Sequence, residues 1–545
     1  MGVLRTRTIR DLLLVLLGAT AMRLASSFFQ IFTQEQSIIV NTQISSRIIP
    51  QNDVHAPAAV VDRGRKQVQE QVKERTAQKS VVTEIADVSH NFPETTIVSH
   101  APGWTVFRNL YMSNGTLFVV TNEPPMSFPD IQYITSTGRP AEATEESVRA
   151  RMPTTDNMDF ITPAQARLRW GSNPDRWERN RVWSVEGNTF LFNDPHQFLD
   201  HYYHFCAELL FGAWAFWSGA FKAVVDPSSA SLTTAPPVQH VIFAHADAYG
   251  WRDGPGFNSY FMRAVFPSIT VEVEEDWEDR IDSTVSPGAR ARAWHFDNVL
   301  LADRSAAFRG EACGSRTQRT AAEAVEHMRR AGNLTRWWWE PVRRAVLRFA
   351  GVDERVMDIG VRAEQTAAAL GKTRPQLLAG ASAPPLHLGQ DVVITYISRQ
   401  GSKRHLIEGH HEALVTALTE MCRRHGWELN IVQAERLSME QQLELAARTT
   451  IMLGVHGNGL THLIMMPVTP ISAVIEIFYP TGFAHDYQWT THALGMRHFA
   501  VWNDTYHTVP DKPDPNYPEG FQGTQIPVYP PTITQIIEDR IAGRV

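Results

Sequence analysis

In the stretch YYHFCAE, His204 and Glu208 stand four residues apart. On a helix that spacing puts them on one face, where a carboxylate can hold an imidazole and orient it as a general base. His201 lies one turn earlier on nearly the same face, and Leu209, Leu210, Trp214 and Trp217 supply an apolar stripe for packing. A histidine among aromatics is also the description of an ordinary hydrogen-bonded boundary residue. A zinc site would want HExxH and a third ligand, which are not marked here.

The second group is cationic. In TYISRQGSKRHL, Arg399, Lys403 and Arg404 follow an apolar run. The planar fork of arginine suits a diphosphate, and two of them can neutralise a leaving group that gains charge as its bond breaks. The third group is a turn, IMLGVHGNGLTHLIMM, in which His456, Gly457, Asn458 and Gly459 separate a buried-strand pattern from a helical one. Glycines let the backbone approach an anion closely, and free N–H groups at a helix start attract it. GxGxxG is not matched, so a dinucleotide is not indicated, and a plain tight turn is the simpler alternative. Glu476, in AVIEIF, is charged within an apolar strand and needs a partner: a ribose or sugar hydroxyl, or an ion pair.

These residues need elements to hold them. After about residue 385, VVITYI, ELNIVQ, IMLGV, SAVIEIF and HFAVW are short β-rich runs separated by helical patterns. That alternation predicts a parallel sheet with covering helices, a Rossmann-like domain whose ligands bind beyond the carboxyl ends of the strands. Earlier candidate strands are TLFVV, HVIFA (240–244) and NVLLAD (298–303). Residues 228–237 and 368–385 are rich in small residues and proline and read as loops or insertions, the second near a domain boundary.

The chain has 545 residues, more than one core normally supports, and a formal net charge of −7, which argues against a nucleic-acid partner. The three cysteines, Cys206, Cys313 and Cys422, allow at most one bridge and no CxxC metal site. Sequons occur at Asn114, Asn333 and Asn503. At the N-terminus Arg5, Arg7 and Arg10 precede an apolar stretch from Leu12 to Phe32, long enough to span a bilayer although Arg23 interrupts it. The expected organisation is a cytosolic tail (1–11), a signal anchor (12–32), a stem (33–95), a first domain (96–367) and a second domain (368–545). Read as Leu12–Met22 alone, the apolar stretch is the core of a cleaved signal peptide, and either reading leaves everything downstream in the secretory lumen.

Taken in order, YYHFCAE, ISRQGSKR, GVHGNGLTH and AVIEIF resemble the blocks of glycosyltransferase family 61, and YQWTTHALGMRHFAVW resembles its closing helix and strand. Asn458 stands where many members have Ala or Gly, and Phe205 replaces Trp. The long segments around 228–237 and 304–385 give the chain the aspect of a fungal-type branch. The resemblance implies a GT-B architecture: an α/β fold with two Rossmann-like domains facing across a cleft. It also implies an inverting reaction without a bound metal or other cofactor. A UDP-sugar, with xylose or N-acetylglucosamine as first expectations, would donate to a glycan or glycoprotein hydroxyl in the Golgi or endoplasmic reticulum. In that reading His204 and Glu208 are catalytic, and Arg399, Arg404, His456, Gly457, Asn458, Gly459 and Glu476 bind the donor. The rival is an inactive luminal glycan-binding or scaffolding protein with the same fold.

Overall fold

A computed structural model describes residues 87–545 apart from 174–177, 228–231, 286–289, 310, 312–319 and 370–391. The expected tail and anchor, nearly all of the stem, and the expected boundary near 368–385 therefore lie outside the described residues. Among the described residues no helix is long and apolar enough to cross a membrane.

Two sheets organise an α/β architecture. The first contains β1 (Thr96–Ala101), β2 (Trp104–Ser113), β3 (Thr116–Val120), β4 (Met158–Ile161), β5 (Val182–Pro195), β6 (His240–His245), β7 (Thr270–Glu272) and β8 (Ala293–Ala302). Its order is β4-β3-β2-β8-β5-β6-β7, with β1 paired to β2. The β8-β5-β6-β7 part is parallel, whereas β2 runs antiparallel to β1, β3 and β8. The first sheet is thus mixed, a parallel core extended by an antiparallel meander.

The second sheet follows the expected pattern. It contains β9 (Val393–Ile397), β10 (Glu428–Val432), β11 (Ile451–Val455), β12 (Ala473–Ile477), β13 (Arg497–Trp502) and β14 (Thr505–His507), in the order β10-β9-β11-β12-β13-β14. All pairs are parallel except β13 with β14. Every residue of β9, β11 and β12 is buried, which is why these strands read as unbroken apolar runs and not as alternating ones.

Both sheets have a topological switch point. The chain leaves β5 for β6 on one side and comes back as β8 on the other; likewise β9 has β10 on one side and β11 on the other. In open α/β sheets the crevice beyond the carboxyl ends of such strands is where ligands bind. One hydrophobic core joins the helices on the first sheet to the second: Phe205, Phe211, Trp338 and Val342 belong to the same cluster as Leu443, Met452, Leu460, Leu463 and Val474. All of this lies in one compact unit, Val82–Val545.

Candidate functional site

β5 ends in Asn193-Asp194-Pro195, and the chain then turns through His196–Leu199 into a π-helical turn, Tyr203–Leu209, continued by the α-helix Leu210–Ala220. The expected His-Glu helix is therefore wider than α where it matters. The turn keeps the pair in register: His204 Nδ1 lies 2.6 Å from Glu208 Oε2. The Leu210–Ala220 segment is buried on nearly every side instead of showing a single stripe.

Glu208 is held from the other side by a residue that the sequence pattern did not single out. Arg304, just past β8, donates from Nη1 to Glu208 Oε2 at 2.5 Å and from Nε to Asp194 Oδ2 at 3.1 Å. Its Nη2 reaches the His204 carbonyl at 3.2 Å, and its guanidinium lies over the Phe198 ring at 4.5 Å. Burial alone would push the Glu208 carboxyl up, but Arg304 and His204 outweigh it and hold the group down at about 2. An ionised Glu208 can only accept, so the His204 Nδ1–H must donate, and in the neutral ring Nε2 then carries the lone pair. The His204 side chain keeps 22% of its surface exposed whereas Glu208 keeps 2%. The geometry is that of an oriented base with one accessible nitrogen.

At the second switch point Arg399 follows β9 and His456 follows β11. Arg399 Nη1 and Arg404 Nη1 both donate to the His456 carbonyl, at 3.3 and 2.9 Å, and Arg399 Nε donates to Ser402 Oγ at 3.2 Å. Arg404 Nε is buried with no partner. Burial lowers both guanidinium pKa values, and for Arg404 the neighbouring Arg399 adds to the effect. Two cations crowded on one carbonyl form a place for an anion.

Gly457, at φ +151°, suits a glycine: any other residue there would be strained, and its Cβ would fall 1.3 Å from Arg399 Nη1 and displace that guanidinium. A 3₁₀ helix, not an α-helix, follows over Asn458–Met465. The Asn458 side-chain oxygen accepts from Thr461 Oγ1 at 3.1 Å, which leaves its amide NH2 and its backbone N–H as donors. Among the described residues the amides of Gly457, Asn458 and Gly459 find no acceptor, as expected of a helix start.

Glu476 is fully enclosed, with one oxygen on His456 Nδ1 and the other 2.7 Å from His498 Nε2. Of the two kinds of partner expected for this carboxyl, the internal one is present: it fixes the His456 ring, which stacks on Phe478.

The helix Asp486–Leu494 draws the two groups together. Tyr203 Oη lies 3.3 Å from Thr490 Oγ1, and the Tyr487 ring sits 4.9 Å from Tyr203 and 5.6 Å from His456. At its first turn Asp486, also missed in the sequence, carries a buried Oδ1 with no partner. Burial, then the charge of Glu208, push its carboxyl up to about 6, and His204 and Arg404 act against this. One side chain thus senses both groups. Among the described residues no cluster of three His, Cys, Asp or Glu is spaced to hold a metal ion. Cys206 and Cys422 are buried free thiols.

The model of the family Glycosyltransferase 61 matches residues 202–472. The chain carries a family 61 glycosyltransferase domain. The match opens on the π-helical turn and closes just before β12, so it takes in His204, Glu208, Arg304, Arg399, Arg404 and the glycine turn. The transferase places Glu476, Asp486 and His498 beyond the matched segment. No curated protein matches the sequence at a significant level. In the sequence Arg304 is marked only by its place directly after the strand pattern NVLLAD, which does not reveal its partners; Asp486 is marked only as an acid opening a helix after a strand.

Proposed function

We propose that the transferase moves a sugar, xylose or N-acetylglucosamine as first candidates, from a UDP-sugar to a hydroxyl of a glycan or glycoprotein, with inversion. The supporting observation is the juxtaposition of an oriented base and a crowded arginine pair at two switch points joined by one helix. In this reading the donor diphosphate sits on the amides of Gly457, Asn458 and Gly459 between Arg399 and Arg404. The acceptor O–H gives its proton to His204 Nε2 while its oxygen attacks the anomeric carbon. The bond from that carbon to the diphosphate oxygen breaks with its electron pair, and the arginines stabilise the charge that UDP acquires. Attack opposite the leaving group inverts the centre. The remaining parts are a GT-B arrangement of the two sheets, counter-charge from arginine instead of a metal, and a type II single-pass protein with its catalytic part in the Golgi or endoplasmic reticulum lumen.

The test is a binding and hydrolysis screen of the purified protein against a panel of nucleotide-sugars with EDTA present throughout. Saturable binding of one UDP-sugar with slow release of UDP is expected. Absence of binding to every member would overturn the reading in favour of a scaffold that kept the fold.

A further inference from the structure

A cavity of about 180 Å³ opens away from the base, at the carboxyl ends of β5 and β6. Phe190, Phe192 and Phe243 pack toward the π-helical turn, whereas Leu191 and Ala244 belong to the core on the opposite face. The cavity is on that opposite face, between the sheet and the helix Glu274–Thr284. Asn193 lines it while the next residue, Asp194, holds Arg304. One strand end therefore carries the cavity on one side and the catalytic ion pair on the other.

Its lining has two characters. Leu117, Leu191, Ala244 and Trp277 give an apolar floor, and Ser136, Asn193, His245, Glu274 and Glu278 bring polar groups to it. The Asn193 amide is oriented by donation to Asp303 Oδ2 at 2.7 Å and to the Ser136 carbonyl at 3.2 Å, so its Oδ1 must accept from His245 Nε2 at 3.0 Å. That fixes the His245 tautomer with Nδ1 as an acceptor, and Nδ1 is neither enclosed nor partnered. Gly138, at φ +70°, leaves the room: a Cβ there would lie 2.0 Å from His245 Nε2. Burial lowers the His245 pKa, which keeps the ring neutral. A volume of about 180 Å³ leaves room for one small ring. Glu274 and Glu278 in the lining disfavour anions, and the lone pair of a neutral imidazole can accept a hydrogen bond from a hydroxyl group.

We propose that this cavity binds one neutral, hydroxylated sugar ring. In the transferase it serves as a subsite for a non-reacting unit of the acceptor glycan. The second statement rests on the proposed reaction; the first does not.

The experiment is ligand-observed NMR titration of the full chain with methyl glycosides of neutral hexoses and N-acetylhexosamines, with UDP titrated in parallel. Two variants accompany it: Glu278→Trp, on the exposed helix face, closes the mouth, and His245→Phe removes the acceptor nitrogen. Saturable binding of a glycoside by the wild type is expected, weakened roughly tenfold or more in both variants with UDP affinity unchanged. Binding that survives both variants, or no glycoside binding by a protein that binds UDP, overturns the cavity assignment. If UDP fails to bind while the glycoside binds and the variants lose it, the sugar site stands and the transferase reading falls.

Discussion

His204 works through a neighbour it does not touch by side chain. Arg304 keeps Glu208 ionised, and Glu208 sets the histidine tautomer, so the basic nitrogen is the outcome of a three-residue arrangement. His204→Ala should lower turnover by about 10²- to 10⁴-fold. Calorimetric UDP affinity should stay unchanged, and a parallel loss of UDP binding would move His204 into the donor site. Arg304→Ala strands Glu208 and Asp194 as buried carboxylates without their cation. It should cost about 3–5 kcal/mol of stability in urea unfolding, well beyond what His204→Ala does. These two groups show what was legible. The His204–Glu208 pair declares itself because four residues separate its members. Arg304 does not, because its partners Asp194 and Glu208 lie 110 and 96 positions away, and no local spacing encodes them. The partners of Glu476 were hidden for the same reason: His498 is brought to it by pairing of β12 with β13, which only the fold supplies.

The elements divide along a similar line. β9, β11 and β12 were legible as continuous apolar runs between helical patterns, and the glycine turn after β11 came with them. β5, the strand that presents Asp194, was not. Its register shifts between Val185 and Asn188, where Glu186-Gly187-Asn188 reads as a turn although the strand continues. Glycine positions give the sharpest tests of how elements hold the site. In the helix Leu210–Ala220, a Cβ on Gly212 would meet the Trp104 ring at 2.5 Å, and that tryptophan is fully enclosed. Gly212→Ala should therefore lose about 1–3 kcal/mol, seen as a lower urea midpoint. Because the helix continues the π-helical turn, kcat should fall with it; full activity in a destabilised Gly212→Ala protein would show that the turn is held from elsewhere. Gly457→Ala should act on binding as well, displacing Arg399 and weakening UDP binding, while the backbone strain at φ +151° also lowers the midpoint.

Across the molecule, burial of histidines sets the response to acid. His100, His295, His462 and His492 are each pushed down to about 4 by burial, while Asp303 and Asp486 are pushed up to about 6 by burial. A lowered histidine binds its proton only after unfolding, so its contribution to stability is present above about 6.5 and is lost as pH falls toward 4. The raised carboxyls have the opposite slope over much of that window. Glu208, held at about 2, gives up its contribution only below about 4.5. His462→Gln removes one lowered histidine, so between pH 6.5 and 4 its urea midpoint should lose less than that of the wild type. The joined core has a further consequence. Trp339 Nε1 donates to the Ile464 carbonyl at 2.9 Å and Arg343 Nε to the Met465 carbonyl at 2.9 Å, so the helices of the first sheet are stitched to the second by polar bonds as well as by packing. Donor and acceptor halves that touch through a thin seam can be exchanged between relatives as modules. Here they cannot, because a chimera cut between the sheets would set foreign side chains against Leu463, Met465 and Trp339 in the middle of a shared interior. New specificities in this chain must come by changing loops and cavity linings in place.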